Sequence, residues 1–428
     1  MKNKTLYKAW FLVLFSVFAG TAVFANTDNR RQVPSDTLNY IEYRGKVVDA
    51  TTNAVLPFAT VEAEGSNITT VTNIDGEFTL KIAKDLNVES FKFSYLGYGN
   101  QSKPVSAFLN EKNSVIKLQP ISATIKEVTI RPLSGSEMID EILKKVKDNY
   151  NTEAQMLTGF YRETIKNRRN YVSISEAVVE IYKSGYTSPF QMDQVRIDRG
   201  RKSADVEKMD TILFKLQGGP AVSLLLDVVK NPTILLTDEY ALIFEFSMDN
   251  IMLLNDRLHY VISFRQKPEI TEPYYYGRLF VDMDKLAISE AEFSFNTEDK
   301  DQAARFFVQK KPIGMSIIPE AASYRASYTV QDGRWYFNYA RAEVKFKVDW
   351  EKKLFNSNYS IMTEIAITDR KDQLAEKINP KERFKKTEVL DEMVYVFFEP
   401  DYWGDYNVIE PDQSIESAIR KLNRKFER

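Results

Sequence analysis

The sequence contains no cysteine and a single histidine, His259. The absence of cysteine excludes disulfide bridges, so the folded chain must be held together by packing alone. It also excludes a lipid-modified N-terminal cysteine as a membrane anchor. A catalytic zinc ion takes three protein ligands, and the residue three positions after His259 is Ile262 instead of the glutamate of a His-x-x-Glu pair. The sequence therefore predicts no metal site based on histidine.

The chain also lacks an excess of either charge. It has 58 Lys and Arg against 60 Asp and Glu, and its formal net charge is -2. This balance, without a long basic block, argues against nucleic acid as a partner. Hydrophobic residues make up 43% and charged residues 28% of the 428 positions, which is ordinary for a globular protein with buried cores. The length predicts two or three domains.

The one long apolar run lies at the N-terminus. Lys2, Lys4 and Lys8 form a basic start, residues 9–22 are almost all apolar, and a Val-Phe-Ala segment ends at Ala25. This is the pattern of an export signal, and the run is shorter than the roughly 20 residues that span a bilayer. The sequence predicts a signal peptide over residues 1–25 and an exported protein, in the periplasm or associated with the outer membrane.

Residues 40–120 alternate between short apolar strands and turns, which is typical of a β-sandwich. Four segments in this region form a recognisable set: residues 45–49 (GKVVD), 56–61 (LPFATV), 73–78 (NIDGEF) and 93–98 (FSYLGY). In their order and content they resemble the carboxypeptidase-regulatory-like domain. The resemblance implies a seven-stranded, transthyretin-like sandwich that serves as an accessory module, and it implies a Bacteroidetes-type bacterium as the source.

The remaining chain predicts a second, larger domain. Residues 121–133 are expected to be a linker, and residues 134–400 an α+β domain with a long antiparallel sheet and a few helices. Residues 159–166 and 171–182 predict a hairpin, residues 240–246 a further strand and residues 221–229 a helix. The pattern over residues 277–284 and 288–295 is weakly similar to envelope lipoprotein-sorting folds, in which a curved sheet wraps a hydrophobic cavity.

The last 28 residues, 401–428, predict an amphipathic helix that begins near Asp412. Its apolar face includes Ile415, Ile419 and Leu422, and the other positions are rich in lysine and arginine. A basic amphipathic helix can lie on a membrane surface. Docking of its apolar face on the second domain is the more common arrangement and the favoured interpretation.

Carboxylates offer the one catalytic option that the composition leaves open, because a glycosidase needs only two acids. Asp282 with Asp284, and Glu290 with Glu292, are candidate pairs because residues two apart on a strand share a face. Acids in this alternation usually form the solvated face of a strand. No Gly-x-Ser-x-Gly pentapeptide is present, so a serine hydrolase is not indicated either.

Oxygen ligands for calcium could come from Asp75 or from the loop of residues 296–301. That loop lacks the glycine and terminal glutamate of an EF-hand, so a solvated loop is the preferred interpretation, and no metal or cofactor is expected. The acidic and amide residues of this loop are Asn296, Glu298, Asp299 and Asp301.

Aromatic residues make up 13% of the chain and suggest a binding surface. Adjacent strand residues point to opposite faces, so the three consecutive tyrosines of residues 274–276 cannot all lie in one core. Exposed aromatics stack on sugars or anchor a protein partner. Aromatics are equally preferred in strands and cores, and core or sheet packing is the favoured interpretation for any single residue. The candidate aromatics for a ligand or partner are Tyr274, Tyr275, Tyr276, Trp335 and Tyr339.

Together these patterns predict a non-catalytic exported protein of the cell envelope. Its sandwich would be an accessory module, and its sheet domain would bind an envelope or outer-membrane protein, or a glycan or lipid ligand. The alternatives are a periplasmic lipid or lipoprotein carrier with a cavity in a curved sheet, and a carboxylate-based glycosidase.

Overall fold

A computed structural model describes residues 39–108, 114–121, 135–188, 191–204, 216–232, 235–236, 242–308, 311, 313–351, 356–371, 375–396 and 402–426. The predicted signal peptide and most of the predicted linker lie outside these residues. Strands dominate the described part, as expected. None of its helices is both long and apolar enough to cross a membrane.

The N-terminal unit is the predicted seven-stranded sandwich. One sheet has the order β4-β1-β7 and the other the order β3-β2-β5-β6. Their facing side chains alternate along each strand and form a closed apolar core around Phe78, Phe91, Phe93 and Phe108. The strands are Tyr40–Asp49 (β1), Thr60–Ala63 (β2), Thr69–Val71 (β3), Glu77–Ala83 (β4), Ser90–Ser94 (β5), Gln101–Pro104 (β6) and Ser114–Leu118 (β7).

The second unit is built on one large sheet of the order β11-β12-β13-β14-β15-β16-β17-β8-β9-β10-β18. All neighbouring strands are antiparallel except β18, which pairs parallel with β10. The strands are Gln155–Asn167 (β8), Asn170–Lys183 (β9), Gln194–Ala204 (β10), Phe244–Leu254 (β11), Arg257–Gln266 (β12), Tyr275–Asp282 (β13), Ile288–Phe295 (β14), Met315–Gln331 (β15), Arg334–Trp350 (β16), Ser357–Lys371 (β17) and Tyr395–Val396 (β18).

Helices cover one face of this sheet, here called the inner face. Apolar residues from α1, α3 and the segment after α2 pack with the inner residues of the sheet in one continuous core. The helices are Gly135–Asn149 (α1), Gly219–Ser223 (α2), Lys300–Phe307 (α3), Leu390–Met393 (α4) and Gln413–Phe426 (α5). The opposite, outer face carries the sandwich and α5.

Several bounds differ from the sequence-based expectation, and two elements differ most. The strand expected at residues 240–246 is β11, Phe244–Leu254. It is an edge strand with a bulge after Met248 and exposed Asp249 and Asn250, so its apolar alternation is interrupted. The helix expected at residues 221–229 is the short α2 followed by a 3₁₀ turn at Leu224–Leu226.

The C-terminal helix α5 docks on the outer face, as the favoured interpretation held. The Asp412 carboxylate accepts a hydrogen bond from the backbone N–H of Ile415 and so caps the helix. Ile415 is buried against Tyr171 and Ile174 of β9. The start of its apolar face is therefore already occupied by the protein itself.

Candidate functional site

A row of charged side chains crosses the outer face of the sheet. Its members are directly opposite one another on eight successive strands, from β13 to β10, and they alternate in sign except at one step. We call this set the charge row: Arg278, Glu292, Arg325, Arg341, Glu364, Arg162, Glu176 and Arg201. Opposite charges at facing positions attract each other, so the row favours this register of strands.

Arg162 is the best-paired member of the charge row, and it is 2% exposed. Its Nε donates to Glu176 Oε1 at 2.8 Å and its Nη1 to Glu364 Oε1 at 3.0 Å. The remaining Nη2 donates to the carbonyl of Ile409 at 2.7 Å. Burial alone would raise the pKa of Glu176, but the charges of Arg201 and Arg162 outweigh burial and hold that pKa below its usual range.

Arg325 and Arg341 form the one like-charged step of the row, and a residue of the sandwich covers them. The Phe58 ring lies 5.7 Å from the Arg325 guanidinium and 5.0 Å from that of Arg341. It also stacks on Tyr339 with 5.7 Å between ring centroids. An aromatic face attracts cations, so Phe58 reduces the repulsion between the two arginines and anchors the sandwich at the same point.

The segment of residues 402–413, here called the strap, ties the sandwich to the sheet. The Asn407 side chain pairs with both backbone groups of Lys81 on β4: its Oδ1 accepts from the N–H at 2.7 Å and its Nδ2 donates to the carbonyl at 2.9 Å. On the other side, Trp403 packs edge-on against Phe160 of β8. The strap therefore closes the edge of β4 and fills the space between the two units.

A cleft of about 580 Å³ opens where the sandwich, the sheet and the strap meet, and we call it the junction cleft. Its walls carry five carboxylates and three lysines, together with two half-buried tyrosines, Tyr40 and Tyr406. The charged residues are Lys81, Lys84, Asp85, Glu180, Asp198, Asp369, Lys371 and Asp405.

The lysines of the junction cleft make contacts within the protein. Lys371 Nζ donates to Glu180 Oε1 at 2.7 Å, and Lys81 Nζ donates to the carbonyl of Gly404. Asp85 and Asp405 are exposed at the rim. Glu180 also pairs with Arg196, and the lining as a whole has two more carboxylates than lysines, which favours a cationic ligand.

Of the candidate aromatics, the structure exposes Tyr276. This side chain is 50% exposed and lines a separate cleft of about 340 Å³. Tyr274 packs against Phe244, and Tyr275 against Phe293, Phe295 and Tyr324.

Trp335 and Tyr339 are each 1% exposed, so they are packed side chains, as the favoured interpretation of a single aromatic residue has it, and they are wrong as candidates for an exposed surface. Trp335 faces the inner core, where its Nε1 donates to Ser289, and Tyr339 lies under Phe58. The strand pattern does not distinguish an outer face that is solvated from one that another unit covers.

His259 contacts a serine inside the protein. Its Nε2 lies 2.8 Å from the Ser289 oxygen, and its Nδ1 lies 2.9 Å from the carbonyl of Arg257. Both side chains are buried, and burial lowers the pKa of His259. Because Nδ1 faces a carbonyl and the pair is enclosed by packing, this arrangement is that of a structural hydrogen-bond network.

The two candidate pairs of catalytic carboxylates are not free pairs of acids. In the first pair one acid is buried and the other exposed, and in the second both acids pair with the same arginine. Asp282 is buried and accepts from Arg257, whereas Asp284 is exposed. Glu290 and Glu292 share Arg325, and burial raises the pKa of Glu290 to about 7 although Arg325 acts against it. Glu290 is buried on the face of the sheet that carries the sandwich. The interpretation that it belongs to a solvated face is therefore wrong.

The candidate calcium ligands have other partners. Asp299 caps α3 by accepting from the backbone N–H of Gln302, and Asp75 accepts from that of Gln413 in the strap. Within the described ranges, no group of three or more His, Asp or Glu residues is placed to hold a metal ion.

Comparison with known proteins identifies the sandwich. Residues 43–130 match the model of the CarboxypepD_reg-like domain, which confirms the resemblance of the N-terminal unit. The match leaves the large sheet and the strap without a family. No curated protein sequence matches the chain.

Two solved structures are similar in part. A DUF1329 family protein from Desulfovibrio piger is 10% identical, with a TM-score of 0.24 over 55% of this chain and 93% of the other. A structure of lipovitellin, described for its lipid–protein interactions, is 8% identical, with a TM-score of 0.26 over 59% of this chain and 28% of the other. Both TM-scores are too low to support a conclusion about fold or ligand.

Proposed function

We propose that the protein is a non-catalytic binding protein of the bacterial cell envelope, and that the junction cleft holds a cationic segment of a partner protein. The sandwich is an accessory domain that completes the binding site, and the sheet with its strap supplies the other walls. The export pattern of residues 1–25 and the CarboxypepD_reg-like domain support an exported location.

The observation that carries this proposal is the charge of the junction cleft. Five carboxylates and three lysines line the cleft, and two of the carboxylates, Asp85 and Asp405, are exposed at its rim. A lysine or arginine side chain from a partner would meet Asp85 and Asp405 at the rim. The rings of Tyr40 and Tyr406 already lie against Lys81 and Arg199 of the protein itself.

The volume of about 580 Å³ suits a short segment with a few side chains. The three walls come from distant parts of the sequence, so the cleft exists only while the sandwich is docked. Partner binding and domain docking are therefore expected to stabilise each other.

Calorimetric titration with a peptide of about eight lysines tests the proposal. Binding is expected at about 50 mM salt and should weaken at about 200 mM, since exposed charges are screened. An octaglutamate peptide and a neutral glycan set serve as comparison ligands. If glycans bind and the lysine peptide does not, the ligand of the junction cleft is a sugar and the proposed cationic segment is wrong. If neither binds, the proposal is contradicted.

Two matched double variants locate the site. Asp85→Asn with Asp405→Asn removes the rim charges and should weaken peptide binding about tenfold, at about 0.7 kcal/mol for each exposed charge. Asp140→Asn with Asp148→Asn changes two exposed acids of α1, outside the cleft, and should leave the affinity unchanged.

A further inference from the structure

A second cleft, separate from the junction cleft, lies beside the inner face of the sheet. Its volume is about 530 Å³, and it is bordered by the start of β10, by α2 with its following 3₁₀ turn, and by residues 383–386. The backbone N–H of Phe384 donates to the carbonyl of Val195 at 2.7 Å and holds this last segment against β10. We call this feature the basic cleft.

The basic cleft combines an apolar wall with a cationic rim. The wall is formed by Val195, Leu224, Leu225 and Phe384. Four cationic residues also line the cleft: Lys230, Arg383, Lys385 and Lys386. Of these, Lys385 and Lys386 are exposed.

The one acid of the basic cleft is already neutralised. Asp193 Oδ2 accepts from Lys183 Nζ at 2.7 Å, and its Oδ1 accepts from the backbone N–H of Ser184 at 2.9 Å. On the rim, Lys385 Nζ lies 3.7 Å from Glu388 Oε1, so Lys230, Arg383 and Lys386 are the cations of the cleft without an ion pair to a described carboxylate. This charge balance is opposite to that of the junction cleft.

Lys230 gives the basic cleft a buried cation. The residue is 4% exposed, and its Nζ donates to the carbonyls of Gly185 and Ser188 at 2.6 Å each. An ammonium has three N–H donors, and the third finds no acceptor among the residues that the structure describes. Burial lowers the pKa of Lys230 to about 8, because a charge beside apolar side chains lacks hydration. The carboxylates of Asp193 and Asp227, which share Lys183, act against burial on this pKa. An anion brought to this point would supply an acceptor for the third N–H.

We propose that the basic cleft binds a single-chain anionic amphiphile, a long-chain carboxylate. Its acyl chain lies against Leu224, Leu225 and Phe384, and its carboxylate accepts hydrogen bonds from Lys230 and the cationic rim. A small inorganic anion would leave the apolar wall unused, and a neutral chain would leave Lys230, Arg383 and Lys386 without an anionic partner, so the two features together select an amphiphilic anion.

Calorimetric titration of the delipidated protein with laurate, below its micelle concentration, tests this proposal. Dodecyl maltoside carries the same chain without charge, and inorganic phosphate carries charge without a chain. Laurate is expected to bind at least about tenfold more tightly than either. Equal binding of the maltoside or of phosphate, or no binding of laurate, would overturn the proposal.

A pair of matched variants places the ligand. Lys385→Gln with Lys386→Gln removes two exposed rim charges and is expected to weaken laurate binding about tenfold. Lys377→Gln with Lys381→Gln alters two exposed lysines of the same segment that do not line the cleft, and should have no effect. Equal affinities of the two variants would overturn the assignment to this cleft. The junction-cleft variant Asp85→Asn with Asp405→Asn should bind laurate normally, which keeps this test independent of the proposed function.

Discussion

Phe58 is the residue on which the contact between the two units converges. It has a backbone φ of 64°, a left-handed conformation that bulky residues rarely adopt. Its ring reaches Arg325, Arg341 and Tyr339 on two strands of the sheet. Within the sandwich, the Phe58 N–H donates to the carbonyl of Thr72 at 3.0 Å, and the contacts with the sheet offset part of the backbone strain.

Two substitutions at Phe58 separate ring contacts from backbone strain. Phe58→Ala loses the ring and keeps the strain, so the free energy of unfolding should fall by about 2–3 kcal/mol. Phe58→Gly loses the same ring but accepts the positive φ, so it should be about 1 kcal/mol more stable than Phe58→Ala. Urea unfolding measures both values. An alanine variant as stable as the glycine variant would show that the strain has no energetic weight.

Glu163 predicts a pH dependence of stability. This side chain is buried on the inner face, its carboxylate accepts from the Tyr161 hydroxyl at 2.8 Å, and burial raises its pKa to about 8. The usual pKa of glutamate is about 4.3, so the native state binds this proton more tightly than the unfolded state. The contribution of Glu163 is therefore most favourable below about pH 4.3 and is lost as the pH rises towards about 8, by at most about 1.4 kcal/mol per pH unit.

Glu163→Gln removes that titration. Relative to the wild-type protein, the variant should gain stability progressively as the pH is raised from about 5 to about 8 in a series of urea unfolding curves. Glu153→Gln, at an exposed position, is the control and should follow the wild-type curve. Parallel curves for wild type and Glu163→Gln would contradict a raised pKa at Glu163.

At the scale of elements, the strap stabilises the edge of β4 through one side chain. Asn407→Ala leaves the N–H and the carbonyl of Lys81 without their partner, which should cost about 2 kcal/mol. Hydrogen exchange at the Lys81 amide should be faster in this variant than in the wild-type protein. Asn379→Ala, at an exposed position, is the control. An unchanged exchange rate at Lys81 would show that the strap does not protect this edge.

Much of the element pattern could be predicted from the sequence, because strands and turns are encoded locally. The motifs of residues 45–49 and 73–78 predicted the sandwich, and alternation predicted β14 with its observed bounds, Ile288–Phe295. The hairpin of β8 and β9 turns at Arg168, within the expected residues 167–170. Edge strand β11 was misplaced because its polar residues and bulge hide the alternation.

The candidate sites could not be predicted in the same way, because they depend on contacts between distant residues. The charge row requires the register of eight strands, and alternating Arg and Glu residues along one strand indicate only a polar face. The strap shows no local pattern that marks Asn407 as the partner of Lys81. Phe58 lies within a recognised motif, but its contact with two arginines follows from docking alone.

On the scale of the whole molecule, the sandwich and the sheet form one continuous set of contacts. Phe58, the strap and the charge row link them, and Thr69 of β3 donates to the carbonyl of Ile367 on β17 at 2.7 Å. We expect the two units of the wild-type protein to unfold in a single calorimetric transition. The double variant Phe58→Ala with Asn407→Ala weakens two of these links and should show two transitions. Separate transitions in the wild-type protein would contradict this coupling.

The most direct test of the central claim compares octalysine binding to the wild-type protein and to Phe58→Ala with Asn407→Ala. Neither substitution removes a charge. Phe58 does not line the junction cleft, whereas Asn407 does, so the single variant Asn407→Ala is the control for a direct contact with the peptide. If the cleft is formed only when the two units are docked, the apparent affinity for the peptide falls in proportion to the docked fraction. The double variant should then bind the peptide at least about tenfold more weakly. Equal affinities, in a double variant shown by calorimetry to be undocked, would contradict the claim that the junction of sandwich, sheet and strap is the binding site.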